Sequence, residues 1–512
     1  MDNKPPRPSQ LGVMALACML AVACAHTPPS QALGPSKAGS SEGHDPHGAR
    51  HWLAGDHHVH SQFSVDWDDD DHDPKTPPKA ILGGDGIYPI SKNAEMARKF
   101  GLSWMVSTDH GGPHHAKINR DLAYPELIRS RAAVPEVIQF YGMELDTPGA
   151  DHSSLIIPNT RDERFELFAI ESEFSKHEPW PEDPSRDVES RMIAALKFAK
   201  TLAAPPVLIA NHPSRSATAQ TAYGLDQPGE LRDWNDAAPQ VAIGMEGAPG
   251  HQASSLNPDG SLKLTGRRGG YEHAPTLGGF DPMTGKLGGF WDAMLGEGRA
   301  WRITSTSDSH RHYTEGGHDF WPGEYSKTYV FAQFEPADIL DGLRKGRVFV
   351  TTGDLISELD IAASIGGEAV GMGGKLYIES GDDVTITIRV KDPDGVNAAG
   401  LRPAVARIDL IEGEVSGLSP DRTLDTNAST RVIKRFGPED WHRDGEVLTM
   451  SYTLKSMDHS AYIRIRGTNT DQLEPAPDGA GEDPWSDLWF YSNPIFVSLD
   501  DQDQSRAKGT SR

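Results

Sequence analysis

The sequence predicts an α/β fold with parallel strands, followed by a smaller antiparallel β domain that resembles a sandwich. Between about residues 51 and 353, short apolar runs such as 207–210 alternate with helical stretches such as 189–202. Polar clusters follow the ends of several runs, as in a barrel of parallel strands that holds its active site at the carboxyl strand ends. Over 354–499 the apolar residues recur with period two, as in 384–390, which indicates antiparallel strands.

The composition is that of a folded, acidic protein. The chain has 512 residues, 37% of them hydrophobic, so it can bury a substantial core and divide into more than one domain. A formal net charge of -25 argues against nucleic acid as a general partner, because that backbone is also negative. We therefore expect no nucleic-acid-binding surface. The 21 histidines are more informative, since several of them cluster with carboxylates, and imidazole with carboxylate suits Zn, Mn or Fe.

Residues 1–24 have the layout of a signal peptide. Lys4 and Arg7 precede an apolar run that is too short to span a membrane and that ends at Cys24. The small residues before Cys24 resemble a bacterial lipobox, although Ala21 stands where that pattern favours Leu; ordinary cleavage nearby is the alternative. We expect an exported protein, periplasmic or anchored in the outer membrane, whose membrane contact is a lipid on Cys24 alone.

The segments at the two ends of the folded body are predicted to lack packed structure. Residues 25–50 are rich in Pro, Ser, Gly and His and are predicted to form a flexible linker, and the polar residues 500–512 a disordered tail. Both cysteines of the chain, Cys18 and Cys24, precede this body. It therefore has no disulfide framework and no thiolate metal site.

A series of histidine and carboxylate motifs carries the chemistry. If the segment before it ends a strand, His58 and His60 share one face, because strand side chains alternate with period two. Two histidines at this spacing, taken by themselves, are equally compatible with a position on the surface. Further motifs, however, follow them in order along the chain. They are Asp66, Thr108-Asp109-His110, Gly142-Met143-Glu144, Asp151-His152, Asn211-His212-Pro213 and Ser307-Asp308-Ser309-His310.

This ordered series resembles the PHP (polymerase and histidinol phosphatase) superfamily, in particular its larger secreted bacterial hydrolases with a C-terminal β domain. The resemblance covers roughly residues 51–353 and implies a distorted (β/α)7-type barrel that holds two or three divalent metal ions, Zn, Mn or Fe. Asp66 stands where some relatives carry His, which favours Mn or Fe in the third site. The implied ligands are His58, His60, Glu144 and Asp308 for one metal, Glu144, His152 and His212 for a second, and Asp66, His110 and His310 for a third.

The implied activity is metal-dependent hydrolysis. A carboxylate-bridged metal pair lowers the pKa of water from 15.7 toward about 7 and holds the resulting hydroxide as nucleophile, with Glu144 and Asp308 as catalytic ligands. Divalent ions would leave the site positive, so we expect a small anionic ester, a phosphodiester rather than a phosphomonoester. Arg215 and Arg311 each follow a motif histidine. Each of them is a candidate for binding a phosphate through its guanidinium, and is equally a candidate for forming a structural ion pair.

Two alternatives stay open. The same metal cluster can hydrolyse carboxyl esters, carbamates or amides, an activity that also occurs among similar two-domain relatives. A different class of function is a non-catalytic, metal-stabilised periplasmic binding protein. Near the motifs, Asp109 and Glu246 either orient imidazole ligands or are structural polar groups, and His57 is out of phase with its neighbours and is expected to point away from the metals.

Overall fold

The computed structural model describes residues 49–68 and 76–500. The predicted signal peptide, nearly all of the predicted linker and all but the first residue of the predicted tail lie outside the described residues. Within the two described ranges, no helix combines the length and apolar character that a membrane crossing requires.

The fold is mixed α/β, with a large mixed sheet and a separate antiparallel sheet. The strands before Gly353 are β1 (His51–Val59), β2 (Asp66–Asp68), β3 (Lys79–Ile81), β4 (Trp104–Ser107), β5 (Ile138–Asp146), β6 (His152–Ile157), β7 (Val207–Ala210), β8 (Ala242–Ala248), β9 (Arg302–Ser305), β10 (Ser326–Ala332) and β11 (Val348–Thr352). The helices are α1 (Ile90–Lys99), α2 (His115–Ile118), α3 (Tyr124–Ala133), α4 (Glu163–Phe174), α5 (Glu189–Ala199), α6 (Pro228–Ala237), α7 (Pro282–Gly285), α8 (Phe290–Gly296) and α9 (Pro336–Lys345).

Some of the strands after Gly353 alternate buried and more exposed side chains, as the period-two pattern predicts, whereas others are buried along nearly their whole length. The strands of this region are β12 (Glu358–Ile365), β13 (Glu368–Gly371), β14 (Lys375–Ile378), β15 (Asp382–Lys391), β16 (Arg407–Glu414), β17 (Arg431–Phe436), β18 (His442–Asp444), β19 (Val447–Met457), β20 (Ala461–Thr468), β21 (Trp489–Ser492) and β22 (Ile495–Leu499). In β15, for example, Val384, Ile386 and Ile388 are buried while the residues between them are not.

Six of the strands before Gly353 pair in parallel with a neighbour, but β6, which lies among them, does not. The strands β1, β4 and β5 pair in parallel, and so do β7, β8 and β9. Between these two sets, β6 is antiparallel to both β5 and β7, which departs from the parallel pattern that the sequence predicts. The reason is the short connection, residues 147–151, because a parallel crossover needs about a dozen residues or more.

This arrangement gathers seven strand ends at one edge of the sheet. The carboxyl ends of β1, β4, β5, β7, β8 and β9 meet there together with the amino end of β6, where Asp146 pairs with His152. At the same edge an isolated parallel bridge joins Val59 to Ser309, and the His60 backbone N–H donates to the Ser309 carbonyl at 3.1 Å. The first and last strands of the series therefore approach each other where the motif residues lie.

The strands beyond Gly353 are divided between two sheets. The antiparallel sheet has the order β13-β12-β15-β19-β18, whereas β14, β16, β17 and β20 to β22 belong to the large sheet, in which β14 and β22 pair in parallel. Buried side chains from both sheets, such as Ile386 and Ile463, share one hydrophobic cluster. Because β11 pairs with β21, the large sheet is continuous between strands that precede Gly353 in the chain and strands that follow it. The division into two domains at that residue stays a prediction.

A buried ion pair joins the two parts of the chain. Asp292 of α8 accepts hydrogen bonds from Arg464 Nε and Nη2 of β20 at 2.9 and 2.7 Å, and from the Tyr462 hydroxyl at 3.0 Å. Both charged side chains are almost fully buried. Removing one partner leaves the other charge buried without compensation, which costs far more than the loss of an exposed pair.

We therefore expect Asp292→Ala to lower the free energy of unfolding by about 3–5 kcal/mol. Guanidinium unfolding followed by fluorescence measures the effect. The control is Lys455→Ala, which removes an exposed partner of Asp383 and should leave the free energy of unfolding unchanged, because water solvates both charges. Equal free energies of unfolding for the two variants would contradict a stabilising role of the buried ion pair.

Candidate metal centre

The motif residues meet at the gathered strand ends. His58 lies in β1 and His60 directly follows it, and their imidazole rings are 4.9 Å apart between centroids. Glu144 lies near the end of β5, and Asp308 follows β9. Their carboxylate oxygens both lie 3.1 Å from His58 Nε2, and Asp308 Oδ1 is also 3.2 Å from His60 Nε2. These four buried side chains form one group that can hold a metal ion.

Glu144 also belongs to a second such group. Its Oε1 atom lies 3.2 Å from His152 Nδ1 and 3.1 Å from His212 Nε2, and these three side chains can hold another ion. His152 reaches this place because β6 runs antiparallel, so its first residue lies at the edge where the parallel strands end. One carboxylate is therefore shared between two neighbouring groups of ligands.

A third group consists of His60, His110 and His310. The carboxylate beside it belongs to Asp85, whose Oδ2 lies 3.0 Å from His110 Nε2 and 3.2 Å from His310 Nε2. The structure does not bring Asp66 to this group, because Asp66 lies exposed in the β2–β3 hairpin, paired with Ile81.

Asp85 has no motif of its own in the sequence. It lies in the glycine-rich return after β3, where the Gly86 N–H donates to the Ser64 carbonyl at 3.2 Å. A Cβ on Gly86 would come within 2.2 Å of the Ser61 carbonyl oxygen, so this close approach requires glycine. The only available signal was a carboxylate between glycines shortly after the first motif, and that signal is weak.

Several ligand atoms lack a hydrogen-bond partner within the described residues. They are His60 Nε2, His152 Nδ1 and Asp308 Oδ1, all of them buried. A buried polar atom without a partner costs about 1–3 kcal/mol, and a coordinated cation removes that cost. The donor set is nitrogen and oxygen without sulfur, as Zn, Mn and Fe accept. The residues present therefore fit divalent metal ions.

Further side chains hold the imidazoles in place. Glu246 of β8 accepts a hydrogen bond from His58 Nδ1 at 2.7 Å with one oxygen and from the His212 backbone N–H at 2.7 Å with the other. Asp109 acts through Ser64, whose hydroxyl donates to Asp109 at 3.0 Å and lies 2.8 Å from His60 Nδ1. Such partners fix the orientation of an imidazole ligand and leave its other nitrogen free to bind a metal.

The neighbouring His57 points elsewhere, as its phase in the strand predicts. Its Nε2 atom lies 2.7 Å from Thr304 Oγ1 of β9, within the wall of the sheet. Burial holds the pKa of this imidazole down, to about 4. His57 is thus a neutral, structural residue beside two candidate ligands.

The candidate ligands differ in their ionisation. Burial lowers the pKa of the His152 imidazole, but Glu144 outweighs it and raises that pKa to about 9, so a bound cation must displace a proton from His152. Burial raises the pKa of the Glu144 carboxyl, but His152 and His58 outweigh it and hold that pKa well below its usual range. Burial and the neighbouring His310 hold the pKa of His60 well below that of free imidazole. Glu144 is therefore an anion and His60 a neutral base, which are the forms that coordinate metals.

The structure places the two candidate arginines differently. Arg215 Nη2 donates to Asp308 Oδ2 at 2.6 Å, and its buried Nε atom has no hydrogen-bond partner among the described residues. Arg311 is exposed, and its backbone N–H, not its guanidinium, donates to Asp319 at 2.9 Å. Arg215 thus adjoins the candidate metal centre, and the structure does not bring Arg311 to it.

His251 is a member of this centre that the sequence motifs missed. Its Nε2 lies 3.1 Å from Asp308 Oδ2, and its Nδ1 lies 2.5 Å from Asp319, which also accepts the His310 backbone N–H at 2.7 Å. The backbone of His251 is left-handed, with φ of 55°, which is uncommon outside glycine. Its position shortly after β8 fits the strand-end rule, but no recognisable motif surrounds it.

Comparisons with known proteins add little to this geometry. No family model matches the chain, and no curated protein matches it. Among solved structures, PsfC from Pseudomonas syringae PB-5123 is similar at 14% sequence identity, over 55% of this chain and 82% of that chain, with a TM-score of 0.26. A likeness at that score supports no conclusion about fold or function.

The position of Asp85 leads to a direct comparison with Asp66. We expect Asp85→Asn to lower the affinity of the third group for Mn or Zn by about 10- to 100-fold, because it removes the carboxylate that faces both imidazoles. Titration of the metal-free protein, with bound metal counted by mass spectrometry, measures this affinity. Asp66→Asn is the matched control and should leave it unchanged. Loss of metal in the Asp66 variant alone would return Asp66 to the ligand set.

Proposed function

We propose that this protein is a metal-dependent hydrolase of phosphoesters, with phosphodiesters preferred, built on a PHP-type barrel. The observation that carries the proposal is the shared carboxylate of Glu144, which lies between two groups of ligands at 3.1–3.2 Å. Divalent ions bound there would lower the pKa of water and polarise a phosphoryl oxygen. The seven gathered strand ends and the Val59–Ser309 bridge support a barrel that closes at this edge.

The residues of the chain supply a site that is ordered before substrate arrives. Glu246 orients His58, and Asp109 orients His60 through Ser64. Asn211 donates to Glu144 Oε1 at 2.9 Å and so directs that carboxylate. Ligands held in this way do not have to reorganise during the reaction, which supports an enzyme over a binding protein.

Arg215 supports phosphate as the group that is bound. Burial raises the pKa of Asp308, but the neighbouring His58, His251 and Arg215 hold that pKa well below its usual range, so the carboxylate is ionised. One Arg215 nitrogen donates to this anion, Nε has no hydrogen-bond partner among the residues that the structure describes, and 27% of the side chain is exposed. A guanidinium in this position can donate to an oxyanion in a planar, bidentate manner, which a neutral carboxyl ester does not need.

Export and lipid anchoring belong to the same proposal. Cleavage before Cys24 and lipid attachment to it concern residues outside the described ranges. The presence of the hydrolase at the bacterial envelope would give it access to small phosphate esters outside the cytoplasm. Metabolic labelling with a fatty acid, compared between the natural chain and Cys24→Ala, tests the anchor separately from the activity.

The activity is tested with Mn- or Zn-loaded protein and nitrophenyl substrates. We expect fastest hydrolysis of bis(4-nitrophenyl) phosphate, slower hydrolysis of the phosphomonoester, and least hydrolysis of the acetate and the carbamate. Arg215→Gln should lower kcat for the diester by about 100-fold, because it removes a donor that faces the reacting phosphate. Arg311→Gln is the matched control and should behave like the natural protein, since Arg311 lies outside the cluster.

Three results would overturn parts of this proposal. Hydrolysis of acetates or carbamates with none of the phosphates would assign the site to carboxyl ester chemistry. Full activity after complete removal of metal by a chelator would exclude the metal requirement. Unchanged diester hydrolysis in Glu144→Gln, with unchanged metal content, would remove the shared carboxylate from the mechanism.

A further inference from the structure

A cavity of about 540 Å³ adjoins the candidate metal centre. His251 connects the two, because it lines the cavity and its Nε2 atom lies 3.1 Å from Asp308 Oδ2. Tyr271 lines another side, and its hydroxyl donates to Asp281 at 2.6 Å. Through His251, the cavity therefore lies beside Asp308, whose carboxylate also accepts a hydrogen bond from Arg215.

Two permanent cations line this cavity, Lys263 and Arg267. Within the described ranges neither forms an ion pair with a carboxylate; Arg267 Nη1 donates instead to the backbone carbonyl of Asp478 at 2.9 Å. Glu272 also lines the cavity, but it is exposed and faces His273. In a chain with a net charge of -25, two cations against one exposed carboxylate leave the lining of this cavity with a net positive charge.

The loop that carries these cations has a defined backbone. The Lys263 N–H donates to the Ser255 carbonyl at 2.7 Å, and the Gly266 N–H donates to the Lys263 carbonyl at 2.9 Å. A Cβ on Gly266 would come within 1.9 Å of the Ser254 carbonyl oxygen, so the loop closes tightly at that residue. The backbone from which the Lys263 and Arg267 side chains extend is therefore fixed. Ligand binding does not have to order this loop, which lowers the entropic cost of binding.

An imidazole adds to the same lining. His318 lines the cavity, and burial, His251 and Lys263 together lower its pKa. His251 and Lys263 thus lie close enough to influence the charge of the His318 imidazole. As a neutral side chain, His318 offers one hydrogen-bond donor and one acceptor to a ligand.

We propose that this cavity is an anion subsite of the hydrolase, in which Lys263 and Arg267 bind a second negatively charged group of the substrate. This inference rests on the proposed function, since the first anionic group is the phosphoester at the metal centre. The substrate is then a phosphoester whose adjoining arm carries a carboxylate or a further phosphate. A diester without a second anion would use the metal centre and leave the subsite unfilled.

Binding of non-hydrolysable probes tests the subsite independently of catalysis. The probes are phenylphosphonate, 4-carboxyphenylphosphonate and 1,4-phenylenediphosphonate, titrated calorimetrically into the Mn-loaded full chain. We expect the two probes with a second anion to bind about 10-fold more tightly than phenylphosphonate, as a charge-assisted hydrogen bond allows. Preference for the carboxylate or for the second phosphonate then identifies the natural anion.

Three cavity variants and one control variant complete the experiment. Lys263→Gln and Arg267→Gln should each remove the preference and leave phenylphosphonate binding unchanged, whereas Arg267→Lys should retain part of it. Lys200→Gln, an exposed cation outside the cavity lining, is the control and should keep the full preference.

Equal binding of all three probes by the natural protein would overturn the subsite, even if bis(4-nitrophenyl) phosphate is hydrolysed. A preference that survives in both glutamine variants would also overturn it. A preference that depends on Lys263 and Arg267, in a protein that hydrolyses no phosphoester, would support the subsite and contradict the proposed function.

Discussion

The carboxylate of Glu144 is the group on which the arrangement of the strand ends depends. It is buried, and its Oε1 atom lies within 3.2 Å of nitrogen atoms of His58, His152 and His212. A buried carboxylate without such partners costs several kcal/mol, so the surrounding imidazoles and any cation they hold must compensate it. Three strands and the segment just beyond a fourth, β7, therefore supply this charge and the side chains that surround it.

The region after Gly353 contacts the strands and loops around the candidate metal centre at two points. Asn493, between β21 and β22, accepts the Ile303 N–H at 3.0 Å and donates to the Ile303 and Val348 carbonyls, which satisfies backbone groups of the last parallel strand. Arg268, next to the cavity cation Arg267, is buried and paired with Asp478 and Asp487 at 2.6 Å. The C-terminal strands and loops therefore support both the candidate metal centre and the cavity.

Four of the motif residues that lie close together in the structure are located at the ends of strands. His58, Glu144, His212 and Asp308 lie at or just beyond carboxyl strand ends, and such ends share one edge of a parallel sheet, so spacing alone was informative. The mixed α/β class and the later antiparallel sheet were predictable for the same reason, since periodicity is a local property of the chain.

The remaining features depend on how loops return to the sheet. Asp85, rather than Asp66, reaches His110 because the β2–β3 hairpin turns the chain back, and no residue pattern encodes that return. His251 reaches Asp308 through a left-handed backbone that sequence does not reveal. The antiparallel direction of β6 follows from its short connection to β5, and the length of that connection depends on where both strands end.

Anomalous diffraction from crystals of the Mn-loaded protein tests most directly whether the Glu144 carboxylate is shared between two metal ions. Two anomalous peaks should flank Glu144, about 3.5–4 Å apart, as in two-metal hydrolytic sites, with one peak beside His58 and the other beside His152 and His212. A single peak that does not contact Glu144, or no peak at the gathered strand ends, would contradict the central role of this residue.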